Sequence, residues 1–210
     1  MKRLAVDELS LEGQPDAFAG TLMNSSADLV ARACRGDQEA FRLIFERYSR
    51  PVISFTYDLV GNRELAEELT QETFVRAFRS LRSLRAETKF STWLFGIAKN
   101  VAREALRTRA RNHHHIDLED RLVLDLRDGE PVPVDRLLGK ELNELIRRSL
   151  ALLDEDKRLV FTLKVFQQCS YEEIAQITGF SIAKLKTDLH RARSEMRRRI
   201  KPYVGVGHEV

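Results

Sequence analysis

The sequence predicts an all-α protein of two helical domains joined by a flexible linker, the C-terminal one a four-helix domain carrying a helix-turn-helix. Three observations carry that expectation. Apolar residues recur at three- and four-residue spacing in each periodic stretch, and no stretch alternates as a strand would. That periodicity lapses from Asn112 to Pro133, where a triple histidine, many acids, Gly129, Pro131 and Pro133 stand together, the composition of a linker. Finally, Ser170 to Arg193, SYEEIAQITGFSIAKLKTDLHRAR, reads as two short helices around a tight turn.

Taken in order, residues 1–24 hold Gly13, Pro15, Gly20 and scattered acids without sustained period, the mark of a flexible extension. A first helical pattern starts at Ser26 with Leu29, Val30, Ala33 and Cys34, and stops at Gly36. Asp37 is placed to cap a second helix through Ala40, Phe41, Ile44, Phe45 and Tyr48. Pro51 is suited to open a third, with Val52, Phe55 and Leu59 apolar, ended by Gly61 and Asn62. From Arg63 to Leu81, Leu65, Ala66, Leu69, Thr73, Phe74, Ala77 and Phe78 form the expected buried stripe. A polar loop, Arg82 to Lys89, precedes a helix from Phe90 to Arg111 with Trp93, Leu94, Ile97, Ala98, Val101 and Ala105 inward. Lys99, Arg103 and Arg107 fall at i, i+4 and i+8, one basic edge of that helix. The N-terminal domain so defined spans 25–111, the linker 112–134, the C-terminal domain 135–203 and a tail 204–210.

In the second domain, apolar period returns at Leu137, Leu138, Leu142, Leu145 and Ile146, and Asp154 is placed to cap a helix with Leu159, Val160, Leu163 and Val165. Ser170 with Glu173 is a capping box. Gly179 supplies the left-handed residue that ends this helix. Ser181 is placed to cap the next, whose stripe is Ile182, Leu185, Leu189, Ala192 and Met196. At 100° per residue that leaves Ala183, Lys184, Thr187, Arg191 and Ser194 outward, flanked by Lys186 and His190 on one side and Asp188 on the other.

The net charge is only +3, but it is unevenly distributed. Lys184 to Lys201 holds eight Lys/Arg against Asp188 and Glu195, whereas Glu64, Glu67, Glu68 and Glu72 cluster beside a single Arg63. Separate basic and acidic helices point to two partners, a polyanion and a protein. Cys34 and Cys169 lack the spacing of a disulfide framework or a zinc site. The consecutive histidines His113, His114 and His115 do not converge on one ion from a helix. The start of the chain has acids where a signal peptide needs an apolar run, and no stretch approaches the ~18 apolar residues of a membrane span. The expectation is a soluble cytoplasmic protein without membrane insertion. Neither a phosphate loop nor a paired-carboxylate or nucleophile constellation is evident, so neither catalysis nor a cofactor is expected.

Three motifs, AEELTQETFVRAF (Ala66 to Phe78), FSTWLFGIAKNVAREALR (Phe90 to Arg107) and the Ser170–Arg193 stretch, occur in an order and spacing that resembles the bacterial RNA polymerase sigma factors of the extracytoplasmic-function type. The resemblance covers roughly residues 27–111 and 140–200. It implies a promoter-specific initiation factor that binds core RNA polymerase, at the β′ clamp coiled coil and the β flap, and promoter DNA. It also implies regulation by an anti-sigma factor, in a stress or envelope response.

The resemblance further assigns sites. Glu67, Glu68, Leu69, Gln71, Glu72 and Arg76 lie on the polymerase-binding helix. Leu84 and Lys89 bound the loop that holds a flipped −10 base; Asn100 occupies a base-reading position, and Lys99, Arg103 and Arg107 suit phosphates. Lys186, Thr187, His190 and Arg191, with Lys184 just before them, match the −35 contacts, and Tyr171 and Glu172 match backbone contacts. Lys186 or Arg191 suits either a guanine edge or a phosphate. Trp93 fits the core better than a stacking role, by its place in the apolar stripe. Asp188 replaces a common arginine of the family; an acid beside the DNA backbone costs phosphate affinity unless it accepts from a cytosine amine or pairs with Lys184 at i−4, and a shifted −35 preference is expected. Two rivals, a stand-alone dimeric regulator and a nucleic-acid enzyme, lack the effector domain or catalytic groups they would need.

Overall fold

The computed structural model describes residues 26–85, 88–113 and 134–204. The N-terminal extension, most of the linker and the C-terminal tail lie outside the described residues. Within them, every regular element is helical, so the all-α expectation holds. Two compact units are present, Met1–Ile44 and Phe45–Val210.

In the first unit, α1 (26–34) buries Leu29 and Ala33. It ends at Gly36, whose φ of +93° a side chain would strain. Asp37 caps α2 (Gln38–Val60) by accepting the Ala40 N–H at 3.0 Å, and it pairs with Arg32 at 2.8 Å. Its carboxyl is held below the ordinary range, first by that N–H and then by Arg32.

Pro51 does not open a helix; it lies inside α2. A proline removes one helical hydrogen bond and costs about 3 kcal/mol in a helix interior. Burial of Val52, Phe55 and Leu59 just after it offsets that, because fully burying each apolar side chain contributes about 1.5–3 kcal/mol. Helix α3 (Arg63–Ser80) starts at Asn62, whose side chain accepts the Leu65 N–H at 2.8 Å. A buried threonine cluster seals α2 to α3: Thr56 and Thr70 hydroxyls stand 3.2 Å apart, and Thr70 donates to the Ala66 carbonyl at 2.7 Å. Of the expected stripe, Ala66, Leu69, Thr73, Phe74 and Ala77 are buried, but Phe78 is 57% exposed. Position 78 lies one residue past Ala77, on the rim of the inward arc.

A 3₁₀ turn (Leu81–Ser83) leads to α4 (Phe90–His113). Leu94, Ala98, Val101 and Ala102 are buried along it, and the Phe55 and Phe95 rings meet edge to face at 5.1 Å. Trp93 packs on Phe90 with ring centres 5.7 Å apart and is half-buried.

The remaining helices are α5 (Val134–Ala151), α6 (Glu155–Phe161), α7 (Tyr171–Thr178) and α8 (Ile182–Val204). Leu150, Leu159, Leu163, Ile174, Leu185 and Ala192 are almost fully buried. Helix α6 runs into a π-helical segment, Thr162–Phe166, followed by Gln168 at φ +54°. Asp154 occupies the N-cap position of α6 but makes no capping bond; its carboxylate sits 2.8 Å from Lys157 instead. Ile182 is also not inward: it is 40% exposed in the first turn of α8, whereas Leu185, Leu189, Ala192 and Met196 are buried.

Arg147 on α5 lies over the Tyr57 ring at 4.4 Å, and Asp58 is the neighbouring carboxylate. Burial raises the Asp58 carboxyl to about 6, with Arg147 pulling the other way. A raised folded-state value favours the protonated form, so this stabilisation is present below the unfolded value near 3.8 and is lost as pH rises through about 6. Asp58→Asn is therefore expected to raise stability at pH 7.5 by about 1–2 kcal/mol, after allowance for partial solvent screening. The gain should shrink towards zero at pH 4. Urea unfolding at the two pH values checks this; an equal effect at both would contradict it.

Candidate nucleic-acid interface

The Ser170–Arg193 corner is built as its residues dictate. The Ser170 hydroxyl accepts the Glu173 N–H at 3.1 Å while the Glu173 carboxylate accepts the Ser170 N–H at 2.7 Å. Gly179 ends α7 at φ +77°, and its N–H reaches the Ala175 carbonyl at 2.8 Å. Ser181 caps α8 through the Lys184 N–H at 3.3 Å. With Leu185 and Leu189 pinned inward, Ala183, Lys186, Thr187, His190 and Arg191 are all exposed. Tyr171 is half-buried, with Lys164 and Lys186 over its ring at 4.9 and 5.8 Å. Glu172 is exposed, its carboxyl lowered by its own backbone N–H and then by Ser170.

Two members of the corner differ from their sequence placement. Asp188 is 8% exposed and hydrogen-bonds Lys184 one turn earlier. Its partner is thus Lys184, the internal pairing that the sequence allowed for it. Lys184 is held by Asp188 and by Asp156 at 3.0 Å, so its ammonium is not directed outward with Lys186. These partners raise the Lys184 ammonium above its ordinary range.

On α4, Asn100 and Arg107 are exposed, and Leu84 in the preceding loop is half-buried. The other assigned cations are engaged. Lys89 pairs with Glu173 at 2.9 Å. Lys99 donates to the Ile177 carbonyl at 2.8 Å, its ammonium lowered first by burial and then by Arg103. Arg103 takes Glu155 at 2.6 Å and Asp156 at 2.9 Å. Sequence reasoning does not single out Glu155 and Asp156, because acids in a first helical turn are explained by the helix dipole alone.

On α3, Glu67, Glu68 and Gln71 are exposed and Glu72 half-buried. Arg76 links Glu72 at 2.7 Å to Glu104 of α4 at 2.8 Å. Leu69 is 8% exposed and belongs to the core, whereas Val75 and Phe78, at 41% and 57%, add apolar surface to this helix. Cys169 is buried and its thiol is pushed up to about 11 by burial, which fits a small core hydrophobe. Among the described residues there is no cluster suited to a metal ion, and no helix is long and apolar enough to cross a membrane.

Comparison with known proteins fits this geometry. Residues 44–112 match the family model for Sigma-70 region 2, and residues 143–196 that for Sigma-70 region 4. The chain is similar to the ECF RNA polymerase sigma-E factor of Escherichia coli (strain K12), 31% identical over 181 residues that cover 84% of this chain and 94% of the relative. Its counterpart in Haemophilus influenzae is 32% identical over 83% of this chain and 94% of its own. In fold the chain is similar to CnrH in complex with the cytosolic domain of CnrY, with a TM-score of 0.63 and 21% identity over 85% of this chain and 98% of that one. It is likewise similar to RpoE in complex with the anti-sigma factor NepR from Bartonella quintana, at TM-score 0.64 and 23% identity over 77% and 96%. Two matched sigma regions in order, with relatives at this identity along most of the chain, establish membership: the chain belongs to the sigma-70 family as an ECF sigma factor, a non-enzymatic factor that directs RNA polymerase in transcription initiation.

Proposed function

We propose that this sigma factor reads the −35 element with Lys186, Thr187, His190 and Arg191 of α8, steadied by Tyr171, Glu172 and Lys184. The observation that carries it is the exposure of four polar or cationic side chains on one side of a helix whose opposite side is locked in the core. An α-helix fits the major groove, where arginine or lysine takes guanine or phosphate and threonine takes either partner. Leu84, Lys89, Lys99, Asn100, Arg103 and Arg107 hold the opened −10 strand, with Asn100 at a base edge and the cations on phosphate. These surfaces belong to domains spanning 25–111 and 135–203.

The acidic side of α3, Glu67, Glu68, Gln71 and Glu72 with Arg76, docks on the β′ clamp coiled coil, and the C-terminal domain meets the β flap. Complementary charge there gives steering and register. An anti-sigma factor holds the protein until a stress or envelope signal releases it, in the cytoplasm. Family membership supports both readings. Charge reversal tests the docking surface: Glu67→Lys with Glu68→Lys is expected to weaken binding to core polymerase by roughly tenfold, with the helical circular dichroism unchanged. Binding of that variant at full strength would contradict this placement of the clamp contact.

A further inference from the structure

The outward side of α8 does not end with its proposed −35 readers. At 100° per residue, Lys186 and His190 stand in one row with Arg193, Arg197 and Lys201, and Thr187 and Arg191 stand in the next with Ser194 and Arg198. All of these side chains are exposed. Among the described residues, the side chains of Arg193, Arg197, Arg198 and Lys201 take part in no ion pair or hydrogen bond. The adjoining Arg199 differs: it donates to the Ser149 and Leu152 carbonyls at 3.2 and 3.3 Å and reaches Glu195 at 3.5 Å. Glu195 is the sole acid between Leu189 and Val204, and Lys157 of α6 also takes it, at 2.6 Å. Charge on the inner flank of α8 is thus balanced within the fold, and charge on its outer rows is not.

Two ordinary explanations account for little of this. The helix dipole favours cations only in a last turn, which covers Lys201 but not Arg193, Arg197 or Arg198. A merely solvated face would mix signs, whereas Arg193, Arg197 and Lys201 fall at i, i+4 and i+8 and repel one another along the helix. Geometry indicates what relieves that repulsion. At about 1.5 Å per residue, Arg197 lies about 13 Å along the axis from the middle of the readers, past the half-width of a major groove about 12 Å across. The readers occupy the groove, and the later turns pass over the phosphates that bound it. We propose that Arg193, Arg197 and Arg198 bind those phosphates, so that α8 carries a sequence-independent backbone anchor continuous with its reading face. This rests on the −35 role of α8 in the proposed function. An arginine fork matches phosphate oxygens, and each phosphate neutralised releases counterions from the duplex. The anchor adds affinity and fixes register without discriminating among bases.

The test uses holoenzyme assembled from core polymerase and the full chain, on a labelled duplex bearing a −35 element recovered from a promoter library. Arg197→Ala with Arg198→Ala is expected to bind about tenfold more weakly than wild type and to lower the slope of log affinity against log salt by about two. The loss should be equal on matched and mismatched −35 elements. Arg35→Ala with Arg50→Ala, which removes two exposed cations far from α8 in sequence, subtracts the general effect of charge. Neutral methylphosphonate linkages are then placed at the phosphates flanking the element. They should weaken wild type by about tenfold and leave the double variant nearly unaffected. Unchanged affinity and slope in the double variant would overturn the anchor and leave these cations to an acidic protein or to solvent. Methylphosphonates that weaken both proteins equally would overturn it too. Failure of the −35 reading would show separately, as Lys186→Ala and Arg191→Ala variants whose sequence preference and affinity match wild type.

Discussion

Lys186→Ala with Arg191→Ala is expected to lower transcription from a −35-dependent promoter by about a hundredfold while leaving the fold intact. Both side chains are exposed on α8, so their removal changes stability by less than about 0.5 kcal/mol. Each interaction with a base edge or phosphate is worth about 1–3 kcal/mol, and removing two neighbouring ones multiplies to that order in binding. Salt separates the two roles. A side chain that holds phosphate, once removed, lowers the slope of log affinity against log salt by about one, whereas removing a base reader relaxes preference at one position. Promoter libraries assayed with each single variant show which residue does which. A double variant with full activity would remove α8 from the proposed −35 interface.

Arg158→Ala is expected to cause the largest loss of stability, about 2–4 kcal/mol. Its guanidinium donates to the Leu59 carbonyl at 2.8 Å, to Ala151 at 2.7 Å and to Leu153 at 3.0 Å. It thereby satisfies carbonyls at the end of α5 and ties α6 to the end of α2. Hydrogen bonds from a charged donor contribute about 1.5–3 kcal/mol, and orphaned carbonyls add a desolvation cost. Burial lowers the Arg158 value from its ordinary one, yet an arginine stays charged in any accessible solution. Arg158→Lys should recover little, because a single ammonium cannot span three carbonyls as the planar fork does. Urea unfolding gives the comparison; an unchanged midpoint in Arg158→Ala would contradict this role.

The helix-turn-helix is legible in the sequence because its determinants are local. Ser170, Glu173, Gly179 and Ser181 each act within three or four residues, and each adopts the geometry its chemistry predicts. Tertiary effects account for the departures. Pro51 looks like a helix start in isolation, but burial on both sides of it in sequence keeps α2 continuous. Asp188 looks like a surface acid by angle, yet α6 packs on α8 and Lys184 joins Asp188 to Asp156 of α6. Arg158 escapes sequence reasoning since its partners, Leu59, Ala151 and Leu153, are backbone carbonyls, which leave no residue-type signature. The engagement of Arg103 and Lys99 joins residues more than fifty positions apart, beyond the reach of periodicity.

The assignment of three surfaces to core polymerase, the −10 strand and the −35 duplex is tested most directly by transcription in vitro. Purified core RNA polymerase and this protein are combined with a library of bacterial promoters, and the 5′ ends of the transcripts are mapped. Discrete starts that require the protein, each preceded by one shared pair of spaced motifs, are the predicted result. Transcripts that appear equally without the protein, or starts that share only one motif, would contradict it.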